Sequence, residues 1–400
     1  MTREPASGFL RPALAGLSAN LVTIGLARFA YTPLIPALIG AAWFTPAEAA
    51  WLGAINLAGY LAGVLSTRAL AARWPAVTLL RVMMVVATVG LVACAWPLSF
   101  AWMAAWRGAG GIAGGVIMVL AAPTVLPLAP PTRRGLAGGI VFTGVGLGIL
   151  ASATVVPFLL GFGLVETWCG LGLCSAILTA LAWRAWPAVA PPPPRVGAGV
   201  RPPLPLATRM LWLQYGLNAA GMVPAMVFLV DFIARGLDRG LVVGAQYWLI
   251  YGLGAMVGPL ITGRIGDRIG FGRAFRWAFL AQAGAIALPL VSTHPVALAL
   301  TSVVTGVFTP GTVPLAFGRA QETTRDPDST ARAWSGAAAA FALCQAVGAA
   351  LCSALFARTG SHLPLFAVGA GALLLAFAID FALARRASAQ RLQGVDAIQP

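Results

Sequence analysis

Three ionisable side chains interrupt or end long apolar runs of this sequence, namely Arg28, Arg107 and Asp231. A charge is costly to bury among apolar residues, so its presence there favours a functional role. Arginine stays charged and presents a planar fork of donors that matches carboxylate or phosphate groups. An aspartate at such a depth can pair with an arginine or exchange a proton. These residue types predict either binding of an anionic group or an ion pair that opens and closes.

Residues for enzymatic chemistry are scarce. All 26 basic residues are arginines, and we expect both histidines, His294 and His362, to lie in loops. The glycines from Gly144 to Gly148 stand inside an apolar segment, unlike a dinucleotide-binding loop, which follows a strand. The five cysteines lie in or beside apolar segments, where free cysteine behaves as a small hydrophobe. We therefore predict no catalytic residue, no metal and no cofactor.

The elements that carry these residues are predicted to be membrane-spanning helices. The chain is 59% hydrophobic and only 9% charged, with a mean hydropathy of +0.87, whereas soluble domains carry about a quarter charged residues. About 20 apolar residues cross a bilayer as a helix, which predicts an all-α integral membrane protein with twelve spans. Their expected limits are 12–39, 47–67, 77–97, 101–127, 135–160, 164–186, 210–234, 242–263, 274–293, 296–318, 333–356 and 364–384.

The arginines predict the orientation of these spans. The net charge of +15 does not indicate a nucleic-acid partner, because the arginines separate apolar runs and form no basic face. With the N-terminus in the cytoplasm, 21 of the 26 arginines fall on the inner side and three on the outer side. We expect a monomeric, multi-pass protein of the bacterial inner membrane with both termini in the cytoplasm.

The sequence also divides into two similar parts. A proline- and arginine-rich linker, 187–208 with Pro191–Pro194 at its centre, separates a six-helix bundle at 1–186 from another at 209–386, and a tail occupies 387–400. The segment Gly63–Arg68 recurs 200 residues later as Gly263–Arg268. Two joined six-helix parts are typical of transporters built from repeats.

One segment resembles the signature loop of the major facilitator superfamily: Gly263-x-x-x-Asp267-Arg268-x-Gly270-x-x-Arg273. The resemblance implies a conformational latch, in which Asp267 caps a helix or pairs with an arginine. The alternative is a solvated loop charge. The N-terminal copy keeps Gly63 and Arg68 but has Thr67 in place of the acid.

Further segments strengthen the resemblance. Arg107-x-x-x-Gly111 is similar to the fourth-helix pattern of the superfamily, and the run Ala27–Pro33 resembles its YbfB/YjiJ-type branch. Gly135, Gly144 and Gly148 follow the spacing of the antiporter motif in span five, although the expected proline is absent. The resemblance to that motif implies export by exchange, and the alternative is close helix packing alone.

The resemblance implies two pseudo-symmetric six-helix bundles that work by alternating access as a secondary transporter, which is driven by gradients and uses no cofactor. It implies that Arg28, Tyr31, Arg107, Asn218 and Asp231 line a central cavity. Either Arg28 pairs with Asp231 or it binds an anionic group of a small-molecule substrate. The alternatives are outward snorkelling for Arg28, a hydrogen-bonding post for Arg107, an i,i+4 pair with Arg235 for Asp231, and interhelical bonds for Tyr31 and Asn218.

Three readings of the function stay open at this point. The first is a secondary transporter of a small solute, with an anionic substrate and proton coupling among the options and efflux slightly favoured by the partial span-five motif. The second is a facilitator or importer of an organic anion. The third is a membrane sensor that keeps the transporter fold without moving solute, which the incomplete N-terminal signature favours.

Overall fold

The computed structural model of the protein describes residues 8–187, 203–324 and 326–396. Across these ranges it contains twelve helices that are long and apolar enough to span a membrane, which confirms the predicted fold class. They are α1 (Leu10–Gly40), α2 (Pro46–Ala71), α3 (Ala76–Ala93), α4 (Phe100–Leu128), α5 (Pro131–Leu160), α6 (Leu164–Trp183), α7 (Leu206–Gly236), α8 (Gly240–Ile269), α9 (Phe271–Val291), α10 (Pro295–Thr323), α11 (Pro327–Thr359) and α12 (Leu363–Asp396). The predicted linker centre, Pro191–Pro194, lies outside the described residues.

The difference from the predicted spans that most affects the signature segment is at the end of α8. This helix continues six residues past the predicted limit at 263 and ends at Ile269. Gly270, with φ +87°, turns the chain directly into α9. Asp267 and Arg268 therefore belong to the last turn of a helix, and the prediction that they lie in a loop was wrong. The apolar run ends before the helix does because a helix can project its final turns beyond the apolar core.

The first six and the last six helices contact each other mainly through α5, which packs against α8 and α10, and through α2, which packs against α11. Within the first six, α4 packs against α2 and α3, and α6 packs against α3. Within the last six, α10 packs against α8 and α9, and α12 packs against α9 and α7. This arrangement leaves a space between the two sets that is lined by α1, α2, α4, α5, α7, α10 and α11.

The first helix of each set is partly π-helical. In α1 the π-helical segment is Leu21–Phe29, and in α7 it is Pro224–Phe228 followed by Phe232–Gly236. Pro224 cannot donate a backbone hydrogen bond, which favours a local change of helix pitch in α7. Such wide turns occur frequently at functional sites because they redirect side chains away from the regular helix face. The two segments therefore mark equivalent places where a site is expected.

The glycines of α5 allow two neighbouring helices to approach closely. A Cβ atom at Gly144 would lie 2.1 Å from the carbonyl oxygen of Leu17, and one at Gly148 would lie 1.9 Å from the Cα of Gly25, both in α1. A Cβ at Gly135 would lie 2.1 Å from the carbonyl oxygen of Gly263 in α8. The three glycines of the antiporter-like spacing are thus positions where the backbone of α5 packs directly against the backbone of α1 or of α8.

This packing leads to a stability prediction. Gly148→Ala should lower the thermal unfolding temperature of the detergent-purified protein, because its new Cβ meets backbone atoms, which cannot move aside like a side chain. Overpacking of this kind costs about 1–3 kcal/mol. Gly284→Ala in α9 is the matched control, since nothing lies within 4 Å of a Cβ there. Equal unfolding temperatures for the two variants would contradict the packing argument.

Candidate functional site

A cavity lies between the two sets of helices, about midway along them. It contains about 480 Å³ of space that no protein atom occupies, including its mouth. Its walls are mostly apolar and aromatic, with few polar groups. The lining residues are Ile24, Arg28, Phe29, Tyr60, Met118, Val145, Tyr215, Met226, Thr309, Pro310, Val313, Trp334, Ala338, Phe341 and Gln345. A concave apolar site with a small number of polar groups is the usual form of a small-molecule site.

Arg28 is the charged residue of this lining. Its Nη2 donates a hydrogen bond of 2.6 Å to Oε1 of Gln345 in α11, so the contact joins the two sets of helices. Its guanidinium carbon lies 5.2 Å from the ring centre of Tyr60 and 5.4 Å from that of Phe29. Among the described residues no carboxylate lies within 4.0 Å of this guanidinium. Arg28 is therefore a permanent cation with a neutral partner.

Asp231 has other partners in this conformation. Its carboxylate accepts a hydrogen bond from Arg235, one turn along α7, and Oδ2 lies 2.7 Å from Nε2 of His362. His362 lies in the connection between α11 and α12, as expected, but its side chain is only 7% exposed and packs against Phe232 and Phe356, which was not expected. The apolar residues that follow it, Leu363 to Phe366, were a signal for this burial. The Arg28–Asp231 pair does not form here.

Arg107 and Tyr31 form a separate group inside the first six helices. An Nη of Arg107 donates to the carbonyl oxygen of Ala27 at 2.5 Å, and its guanidinium carbon lies 4.0 Å from the ring centre of Tyr31. The Tyr31 hydroxyl donates to the carbonyl oxygen of Ala49 at 2.8 Å. These contacts are those of an interhelical hydrogen-bonding post. Neither residue lines the central cavity.

Asn218 is also absent from the cavity lining. It is fully buried in α7 and its amide donates to Oε1 of Gln282 in α9 at 3.1 Å. Of the five residues predicted for the cavity, only Arg28 lines it. The aromatic residues of the lining escaped prediction because their types are equally common in lipid-facing and packed positions. Gln345 was recognisable as a polar residue in an apolar span.

Trp334 lines the cavity and links the two sets of helices. Its fully buried indole donates to the carbonyl oxygen of Met118 in α4 at 3.2 Å, which joins α11 to the other set of helices. Its ring packs edge-on to Phe317 at 5.3 Å and lies 6.3 Å from both Phe142 and Tyr215, measured between ring centres. We call this group the Trp334 cluster. It lies toward the end of the bundle that carries Asp267, named here the signature end.

At the signature end, Asp267 binds the other set of helices. Its two carboxylate oxygens accept from the backbone N–H groups of Gly135 at 2.7 Å and Leu136 at 2.9 Å, in the first turn of α5. A carboxylate is favoured there by the unpaired N–H groups and by the helix dipole. Gly263 packs against Gly135, and Gly270 makes the turn into α9. Arg268 and Arg273 are exposed.

The N-terminal copy of the signature also contacts the other set of helices, but through its arginine and not through an acid. Thr67 donates to the carbonyl oxygen of Gly63 within its own helix. Arg68 instead pairs with Asp328 at the start of α11, with 3.2 Å between Nη2 and Oδ1. Asp326 caps α11, and hydrogen bonds from the hydroxyl and backbone N–H of Ser329 lower the pKa of its carboxyl. The acid missing from position 67 is thus supplied by the partner helix.

The twelve helices and the cavity between their two sets define the fold of major facilitator transporters. The solved proton:xylose symporter XylE superposes with a TM-score of 0.77 at 14% identity, covering 95% of this chain and 96% of that one. The human organic anion transporter MFSD10 gives 0.74 at 16% identity, covering 94% and 100%. A bacterial homologue of the iron transporter ferroportin gives 0.72 at 12% identity, covering 93% and 99%.

Residues 20–381 match the model of a family described as "Uncharacterised MFS-type transporter YbfB". The chain belongs to this family, so it is a multi-pass membrane protein of a transporter family and not of an enzyme family. No curated protein sequence matches it significantly.

Proposed function

We propose that the protein is a secondary transporter that moves a small organic anion across the bacterial inner membrane by alternating access. The observation that carries this proposal is Arg28, a cation in the central cavity whose partner, Gln345, is neutral. A guanidinium without a carboxylate can accept an anionic group in a two-pronged contact. An internal carboxylate at this position would compete with such a group, and the lining contains none.

The rest of the lining supports a substrate with an apolar body. Aromatic rings of Phe29, Tyr60 and Phe341 and the flexible side chains of Met118 and Met226 line the same cavity as the guanidinium. Such surfaces bind apolar or planar groups and adapt to different shapes. The proposed substrate is therefore an organic anion with an apolar part rather than a sugar or an inorganic ion.

The proposed orientation puts the signature end in the cytoplasm, which the excess of arginine on that side supports. In that orientation the Trp334 cluster, Asp267 and Arg68 hold the two sets of helices together at the cytoplasmic end. The conformation described here is then closed at the cytoplasmic end. Alternating access would require these contacts to break while others form at the opposite end.

Uptake by proteoliposomes tests transport itself. The purified protein is reconstituted into liposomes that are loaded with unlabelled aromatic carboxylates. Entry of the same carboxylates in radiolabelled form is then compared with entry of labelled sugars and amines. Exchange of the carboxylates alone supports an organic-anion transporter. The absence of flux for every solute would instead favour the sensor alternative.

Direction and coupling form the second part of the proposal, namely efflux in exchange for protons. Asp231 and His362 are the one carboxylate–imidazole pair in the part of the chain that the structure describes. Imidazole changes charge most readily near neutral pH, and a carboxylate beside it can share the proton. The close packing of α5 against α1 and α8 is compatible with either direction of transport.

Asp231→Asn should abolish transport driven by a pH gradient while exchange of labelled for unlabelled substrate continues. The asparagine keeps the volume of the side chain but cannot take up a proton. Both activities are measured in the same proteoliposomes, with and without an imposed gradient. Asp380→Asn is the control, because that carboxylate is held by Arg276 at 2.7 Å, away from His362. Gradient-driven transport at the normal rate in Asp231→Asn would refute this coupling site.

A further inference from the structure

A second, smaller cavity lies entirely inside the first six helices, between α1, α2, α3, α4 and α6. It contains about 220 Å³ of space that no protein atom occupies, including its mouth. Asn56, Cys94, Trp106, Arg107 and Trp168 line it together with small apolar residues, and no lining residue is a carboxylate. It shares no lining residue with the central cavity, so the two are distinct.

Arg107 brings an uncompensated positive charge to this second cavity. The residue is only 4% exposed, and no carboxylate of the described chain lies within 4.0 Å of it. One Nη donates to Ala27 and the guanidinium lies over the ring of Tyr31, but Nε has no acceptor in the protein. A buried guanidinium stays charged and requires a counter-charge or full hydrogen bonding.

Trp168 brings a second buried donor to the same cavity. It is 1% exposed, and its indole N–H also has no acceptor in the protein. Buried donors without acceptors are rare in folded proteins, and each one calls for an explanation such as a bound ion or water. This cavity has two such donors, and one of them belongs to a cation. Both need an acceptor, and the cation also needs negative charge.

We propose that this second cavity binds one small inorganic anion, such as chloride, between Nε of Arg107 and Nε1 of Trp168. A halide accepts from both donors and neutralises the guanidinium, whereas a water molecule would accept without neutralising it. The anion would hold α4 against α6 and so stabilise the first six helices. This site is independent of the proposed transport function.

Chloride binding is tested on the full-length protein in detergent, at constant ionic strength with gluconate replaced stepwise by chloride. The unfolding temperature of the wild type should rise with chloride and saturate, and direct binding of ³⁶Cl⁻ should saturate at one site. Trp168→Phe should weaken the apparent affinity about tenfold, through loss of one hydrogen bond to a charged group. Trp277→Phe, at an exposed position in α9, is the matched control.

Two outcomes would overturn the proposal. An unfolding temperature that does not respond to chloride, with no saturable ³⁶Cl⁻ binding, would mean that water serves the two donors. Chloride binding that survives in Trp168→Phe but disappears in Arg28→Gln would place the ion in the central cavity. Weakened chloride binding in Trp168→Phe, with Arg28→Gln unaffected, supports the site even if the anion-transport proposal fails.

Discussion

Replacing Arg28 by lysine is expected to raise the KM for an organic anion about 10- to 100-fold, and replacing it by alanine to abolish saturable transport. The range corresponds to the loss of hydrogen bonds to a charged group, at about 1.5–3 kcal/mol. Lysine keeps the charge but not the planar fork that contacts both oxygens of a carboxylate. Initial rates in proteoliposomes give KM and maximal rate separately, and a selective effect on KM indicates a binding role.

Gln345 provides a sharper test of the same idea. Gln345→Glu leaves Arg28 in place but gives it a carboxylate partner across the cavity, where its Nη2 now lies 2.6 Å from the glutamine oxygen. The new internal anion should compete with the substrate and weaken binding about as much as removal of Arg28 does. Gln345→Met, which is similar in volume and uncharged, is the matched control and should retain most of the affinity.

The outcomes also distinguish the two roles considered for Arg28. Asp231→Asn should leave substrate affinity nearly unchanged, because Asp231 contacts Arg235 and His362 in this conformation. If Arg28 and Asp231 instead pair in another conformation, both single variants should slow turnover and their effects should not add in the double variant. Transport at the wild-type rate by Arg28→Ala would refute both roles.

The second large effect is expected for Asp267→Asn, which should slow turnover about tenfold or more without lowering the amount of folded protein. Each oxygen of the carboxylate accepts one backbone N–H group of α5. An asparagine has only one oxygen, and its NH₂ group would face the second backbone N–H, which is also a donor. Losing a charge-assisted bond costs about 1.5–3 kcal/mol, which shifts the conformational equilibrium away from the closed signature end. Exchange rates and the labelling of cysteines introduced near residue 267 measure both effects.

Arg68→Gln is the natural comparison for Asp267→Asn. The Arg68–Asp328 pair joins the same two sets of helices, but its side chains are 22% and 30% exposed. Exposed pairs contribute about 0–1 kcal/mol, so we expect a smaller change in turnover than for Asp267→Asn. A larger effect of Arg68→Gln would mean that the N-terminal copy of the signature, despite Thr67, is the principal latch.

The sequence alone determined the number of spans and the fold class, which follow from apolar runs of sufficient length. It also marked Arg28 and Arg107 as charges inside such runs, but it did not tell which of the two lines the central cavity. The signature from Gly263 to Arg273 was also recognisable, because a glycine turn and its flanking charges are adjacent in the chain. The residues that this signature contacts in the fold were not recognisable from the sequence.

Only the tertiary structure decided the partners of the polar groups. Arg28 meets Gln345 across 317 positions of the chain, and Asp231 meets His362 across 131. The tertiary structure also placed Arg107 and Trp168 at a second cavity, separate from the one that Arg28 lines. The physical reason is that the partner of a side chain depends on which helix faces pack together. That packing is set by close approaches such as Gly148 against Gly25, between helices distant in sequence.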